Sequence, residues 1–274
     1  MRAIKQTGSK HPMQTRTQSA IIYENPPIDE IVCGIRFNPI KQLQSGHFGI
    51  LWQKFRDNFP ITEDQNLLGP VSEEDLGSPD KPVLPRVWFI HQNENELIQV
   101  QRNRFLHNWR KRRPEDEYPG YEKVVENFEK YLSHFEEFLL EENLGNLVAR
   151  EYELTYIDII PKGHGWENLG DLVKVFPNLL SLTKQSVLLN GVQGINWQTI
   201  FGLPNNLGQL RVSIRTAQRI PGNQQIIYIE SKAVSSGSYK PIRGWFNTAH
   251  NTMGKFFSNL VSKEIQEKFW RRKS

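Results

Sequence analysis

The sequence predicts an α+β fold of two similar antiparallel-sheet halves, ordered β-α-β-β-α and then β-α-β-β-β-α, each covered on one face by a long helix. Three observations predict it. Short runs of alternating apolar and polar residues recur along the chain, as half-buried strands require. Two long stretches carry apolar residues at helical spacing, and each closes one half. Of the 274 residues, 38% are hydrophobic, enough to close a core in one large domain or two small ones without disulfides or metal. No residue-level repeat accompanies the repeated order, so duplication is read from element order alone.

Residues 1–23 are polar, basic and aperiodic until Ile21 and Ile22, and read as a disordered leader. The first half is placed at 24–145. Asn25-Pro26-Pro27 leads into a strand where Ile31, Cys33, Ile35 and Phe37 alternate with Glu30, Val32, Gly34 and Arg36. Pro39 ends it. Phe48, Leu51, Trp52, Phe55 and Phe59 then fall at helical spacing up to Pro60. Residues 61–85, rich in Pro, Gly, Asp and Glu, read as a long surface loop. Residues 86–91 and 96–105, joined by Gln-Asn-Glu-Asn, suit a β-hairpin. Pro119-Gly120 opens the clearest helix, with Val124, Val125, Phe128, Leu132 and Phe135 on one broad face, and Gly145 closes it.

The second half is placed at 146–274. It opens on a strand over 150–160, where Tyr152, Leu154 and Tyr156 alternate with Glu151, Glu153 and Thr155. A Gly163-His164-Gly165 loop leads to a helix expected from Trp166 to about Leu180. Strand-like runs near 195–201, 209–217 and 225–233 are separated by Pro, Gly and Asn turns. A last long helix is expected over 241–269, with Trp245, Phe246, Met253 and Phe257 inward.

The formal charge is +4, but its location matters more than its sign. Four cations and no acid lie in residues 1–23, and four more with no acid in 268–274. With those eight removed from the 34, 26 basic residues stand against 30 acidic ones, so the body is acidic overall. A whole-molecule electrostatic argument for nucleic acid therefore fails. The single cysteine, Cys33, forms no intramolecular disulfide, and no signal peptide or run of about 18 apolar residues is present. The expectation is a cytoplasmic protein with no membrane association.

The densest local feature is the basic-aromatic segment 102–113. Arg102, Arg104, Arg110, Lys111, Arg112 and Arg113 interleave there with Phe105, His107 and Trp109. Cations beside stackable rings suit a single-stranded nucleic acid. A hairpin strand with its rings inward and its cations in water explains the same pattern. On the run from Gln209, Arg211 and Arg215 share a face, where they could hold an anion or pair with Glu151, Glu153 or Glu230 across the sheet. The pairing is the favoured account.

Seven histidines show no zinc spacing, and no metal or cofactor is expected. His164 sits in a glycine-flanked loop, within reach of a ligand; His250 falls on the apolar side of the last helix. Glu153 and Asp158, five apart on one strand, point to opposite faces and cannot flank one bond. Cys33 alternates with apolar neighbours, as an inert packed thiol does. P-loop, dinucleotide-binding GxGxxG and GxSxG signatures are missing.

Four segments carry a resemblance: Asn25-Pro26-Pro27-Ile28, Arg104-Phe105 with Asn108-Trp109-Arg110, Tyr118-Pro119-Gly120-Tyr121-Glu122, and Glu153-Leu154-Thr155-Tyr156-Ile157. From residue 24 onward the chain resembles a sporadically distributed family of bacterial proteins, most with no assigned activity. It departs from that family's pattern at Asn103, where an acid is favoured, and at Gly120, usually an arginine. The resemblance implies a setting in mobile or defence-type operons and no particular reaction.

Three function classes stay open. The first is a non-enzymatic binding or accessory protein that recognises a protein partner or a second copy through an open sheet face and the 102–113 segment. The second is an RNA or single-stranded DNA binder using that same segment. The third is an enzyme with a pocket between the halves, using His164, Glu153, Arg211 or Arg215.

Overall fold

A computed structural model describes residues 22–69, 83–179 and 193–273. Within them, nine strands form one antiparallel sheet. They are β1 Ile28–Phe37, β2 Ile61–Gln65, β3 Arg86–Ile90, β4 Glu96–Gln101, β5 Arg104–Arg110, β6 Ala149–Pro161, β7 Asn196–Gly202, β8 Gly208–Arg219 and β9 Gln224–Ser235. Across the sheet the order is β2-β3-β4-β5-β1-β6-β9-β8-β7. β1 and β6 meet at the centre, with Ile31 opposite Tyr156 and Gly34 opposite Glu153.

Among the described residues five α-helices accompany the sheet: α1 Ser45–Gln53, α2 Tyr121–Glu141, α3 Leu172–Val175, α4 Ile242–Leu260 and α5 Lys263–Trp270. The fold is thus α+β, with a large antiparallel sheet. The alternation in the strands decides which side the helices cover. Ile31, Cys33, Ile35 and Phe37 of β1 join the core under the helices, whereas Val32, between two of them, lies outside it. α2 packs on β5 and β1, where Phe105 stacks on Phe135 at 5.1 Å. α4 packs on β6 and β9, and Phe246 bridges to Phe128 at 5.3 Å. No described helix is long and apolar enough to cross a membrane.

The structure departs from the sequence expectations at five places. Residues 61–65, expected within a loop, form β2 on β3. Ladder bonds need no apolar alternation, and Glu63 and Asp64 suit an edge strand by discouraging further pairing. Residues 70–82 of that expected loop lie outside the described residues. The run 96–105 is two strands, because Arg102-Asn103 turns the chain and Gln101 Nε2 donates to Asn103 Oδ1 at 2.8 Å. The helix expected from Trp166 is a 3₁₀ turn, Leu169–Asp171, followed by the single turn α3. Pro177 disfavours helical backbone at Phe176, which turns fully into the core; Leu180 lies outside the described residues.

The last helix is broken in two. Val261 is extended, and the Ser262 hydroxyl accepts from Ile265 N to start α5. This returns Gln266 beneath α4, where its amide donates to the carbonyls of Ser258 and Val261 at 2.7 and 2.8 Å. Those carbonyls belong to the end of α4, which its own ladder leaves short of donors. The expected leader does not extend to residue 23: Tyr23 bridges to Arg272 and its hydroxyl donates to Gln266 Oε1 at 2.9 Å. Residues 1–21 lie outside the described residues.

Candidate functional site: the uncovered face of the sheet

On the side away from the helices, Val32, Leu97 and Leu106 form a small apolar floor, buried yet separate from the main core. Long polar side chains roof it over. Together they line a cleft of about 280 Å³ that spans β3, β4, β5, β1, β6 and β9.

At one end stands Trp88. Val87 and Phe89 point into the core, so alternation turns the indole outward. Its Nε1 donates to Gln99 Oε1 at 3.0 Å, and Arg86 Nη1 donates to the same oxygen at 2.6 Å. Gln99 Nε2 donates to Asn108 Oδ1 at 2.7 Å, and Asn108 Nδ2 donates to Glu30 Oε1 at 2.5 Å. One continuous network therefore crosses four strands. The guanidinium carbons of Arg86 and Arg110 lie over Trp88, 5.3 and 5.6 Å from its ring centroid. Burial pushes the Glu30 carboxyl above its ordinary value, against the opposing amide of Asn108.

At the other end, Glu153 receives two cations, Lys232 at 2.8 Å and Arg104 at 3.3 Å. Arg104 comes from β5 and Glu153 from β6, with β1 between them. Glu153 and Arg104 are each 6% exposed.

The structure scatters the 102–113 segment. The Arg102 guanidinium donates to the carbonyls of Ile40 and Lys41 at the end of the sheet. Arg104 is buried against Glu153. Phe105, His107 and Trp109 all turn under α2: His107 meets Glu96 at 2.9 Å and Tyr131 at 5.2 Å, and Trp109 packs on Tyr118. The inward-ring account therefore describes this segment, and these three rings offer no stacking surface. Arg110 lines the cleft, with Leu106 and Asn108 of the same segment. Lys111 is half-buried, and the backbone N–H groups of the exposed Arg112 and Arg113 donate to Asp116.

Arg211 and Arg215 lie on the uncovered face but line no part of the cleft. The favoured ion pairs do not form. Arg211 stands opposite Lys232, Arg215 covers the Tyr228 ring at 4.3 Å, and the Tyr228 hydroxyl donates to Glu230 at 3.1 Å. Glu151 pairs instead with Arg36 at 3.5 Å.

Cys33, His250 and His164 sit apart from the cleft. Cys33 is fully buried under α2, and burial raises its thiol pKa far above the ordinary range. His250 stacks on Tyr121 at 3.9 Å and its Nδ1 lies at hydrogen-bond distance, 2.8 Å, from the Tyr156 hydroxyl, and burial lowers it to about 4. His164 packs against Phe269 in a surface loop. Among the described residues, no group of three His, Cys, Asp or Glu side chains is placed to hold a metal.

Sequence reasoning did not single out Trp88, Gln99, Glu30 or Lys232. A signal was present at Trp88, a large aromatic on the polar phase of an alternating strand. No comparable signal marks Gln99 or Glu30, whose importance comes from neighbours on other strands.

No family model matches the chain, and no curated protein is found to be similar to it. A solved structure, DynU16 from the dynemicin biosynthetic locus, is 10% identical, covering 85% of this chain and 96% of its own, with a TM-score of 0.25. At that score the likeness carries no argument about fold or function.

Proposed function

We propose that this chain is a binding or accessory protein that recognises a protein partner on the uncovered face of its sheet, with the Trp88–Glu153 cleft as the recognition site. The observation that carries this is the cleft itself. An apolar floor lies outside the core under a network of named hydrogen bonds, a pattern of apolar centre and polar rim typical of interfaces. The acids of this face are held by neighbours, Glu153 by two cations and Glu30 by an amide, which suits recognition better than proton transfer.

We take the chain as two similar halves joined edge to edge, 24–145 and 146–274. Outward from the centre run β1, β5, β4, β3, β2 and β6, β9, β8, β7, so in both halves the first strand sits beside the last. Four of the ten residues that carry the family resemblance on β5 and β6, Asn108, Arg110, Glu153 and Thr155, line the cleft. From the resemblance alone we also propose an accessory role in a mobile or defence-type operon.

Affinity co-purification from the native host, with mass spectrometry, tests the proposal. A partner held by the wild type is expected to be lost with Trp88→Ala plus Lys232→Ala and kept with Glu126→Lys on the exposed side of α2. Equal retention by all three proteins would refute it.

A further inference from the structure

Among the described residues, two guanidiniums in the cleft, those of Arg86 and Arg110, form no ion pair with an acid. Arg86 Nε and Nη1 donate to the carbonyl of Asn66 and to Gln99, both neutral acceptors. Arg110 Nε donates to the carbonyl of Glu94, also neutral. Among the described residues, neither cation meets a carboxylate within ion-pair distance, although each is half-buried. A guanidinium carries five N–H donors, so Arg86 keeps Nη2 and Arg110 keeps both Nη groups unengaged by described residues. Desolvation lowers the pKa of both; for Arg110 the charge of Arg112 adds to it, while Glu30, Glu63 and Glu94 oppose it from beyond ion-pair distance. Among the described residues lining the cleft, the three cations Arg86, Arg110 and Lys232 face two acids, Glu30 and Glu153, and Glu153 is also held by Arg104.

We infer that the partner inserts a carboxylate side chain, from an aspartate or glutamate, between Arg86 and Arg110 beside Trp88. This rests on the recognition reading above and names the chemistry it requires. Arginine forks match carboxylates bidentately, and such charge-assisted bonds are about twice as strong as neutral ones. The cleft, at about 280 Å³, falls just below the range of roughly 300–1,000 Å³ typical of small-molecule pockets and is sized for an inserted side chain. Val32, Leu97 and Leu106 offer apolar contact to its methylenes, and Gln99 and Asn108 offer amides to a neighbouring peptide group. A polynucleotide fits less well. It gains from stacking on exposed rings, and here the Trp88 ring is already attended by two guanidiniums.

The test is an NMR titration of the full chain with a blocked peptide of two glutamates between glycines, following the Trp88 indole and the arginine Nε–Hε signals. Expected are shifts at Trp88, Arg86 and Arg110, about tenfold weaker binding in Arg86→Gln and in Arg110→Gln, and partial recovery in Arg86→Lys. The matching glutamine peptide is expected to leave these signals unmoved. Preserved signal dispersion in each variant shows that it folds. The inference is overturned if the glutamate peptide moves none of these signals, if both peptides move them equally, or if oligothymidylate moves them at lower concentration. Loss of the native partner on cleft substitution, with no response to the glutamate peptide, would sink the carboxylate seat alone. Indifference of the partner to cleft substitution would sink the recognition reading itself.

Discussion

Glu153 accepts from Arg104 across the intervening β1, where Gly34, directly opposite Glu153 on one side and Leu106 on the other, leaves room for the Glu153 stem because it has no side chain. A Cβ at position 34 would lie 2.7 Å from Glu153 Cγ and 3.1 Å from Leu106 Cδ2. The glycine is extended backbone, so space and not conformation requires it here.

Gly34→Ala is therefore expected to destabilise the fold by about 1–3 kcal/mol, through the overpacking it forces on the pair. Glu153→Ala leaves Arg104 buried without its carboxylate, a change that typically costs about 3–5 kcal/mol. Combined, the two should be less than additive, since the alanine at 34 no longer meets the carboxylate stem. Urea unfolding of the four proteins checks this; strict additivity would mean the two residues do not interact.

In the basic-aromatic segment, the rings hold the fold and the outer cations do not. Phe105, fully buried between Phe128 and Phe135, is expected to cost about 3–5 kcal/mol when changed to alanine. Arg113→Ala, at an exposed site, should stay within about 0.5 kcal/mol of wild type. Thermal and urea denaturation distinguish these outcomes directly.

Two buried groups under the helices titrate in opposite senses. Burial, and next the charge of Asp29, raise Asp158 to about 7, while burial lowers His250 to about 4. In the unfolded chain these groups titrate near roughly 3.9 and 6.5. Between those values and about 7, folded Asp158 holds a proton the unfolded chain has released, so its contribution is full at low pH and lost as pH rises through 7. For His250 the unfolded chain holds the extra proton, so its contribution is full above about 6.5 and lost as pH falls toward 4. The stability of wild type relative to Asp158→Asn should fall from pH 4 to 7. Relative to His250→Phe it should rise from pH 4 to 6.5. Denaturation at several pH values measures both, and pH-independent differences would contradict the burial of these charges.

Gln266, fully buried, ties α4, α5 and the first described residues together. Gln266→Leu would leave the carbonyls of Ser258 and Val261 without its amide, at about 1–3 kcal/mol for such unsatisfied groups. Amide exchange should accelerate in 22–25 and 263–273 more than in β1 or β6. Uniform acceleration would show that these ends do not open separately.

Much of the fold is legible locally. The period of Val124, Val125, Phe128 and Phe135 specifies α2, and the alternation of Ile31, Cys33 and Ile35 specifies both a strand and its buried side. The same alternation places Phe105, His107 and Trp109 together, and it puts Glu153 and Asp158 on opposite faces, as the sequence predicts. β2 escaped because Ile-Thr-Glu-Asp-Gln forms a strand through its ladder with β3 and not through any pattern of its own. The break at Val261 escaped because the apolar period runs on through it.

What the sequence by itself determined, then, is element type and the inward or outward phase of each residue, since both follow from bond geometry over a few neighbouring residues. What only the tertiary structure decided is partnership. Arg104 and Glu153 are 49 residues apart, and Trp88, Gln99, Asn108 and Glu30 come from four strands. Their meeting depends on β1 leaving its place in the chain order to sit between β5 and β6, a choice made by the burial of the whole sheet under its helices. The cleft is a product of that order, so its residues look ordinary until the strands are set side by side.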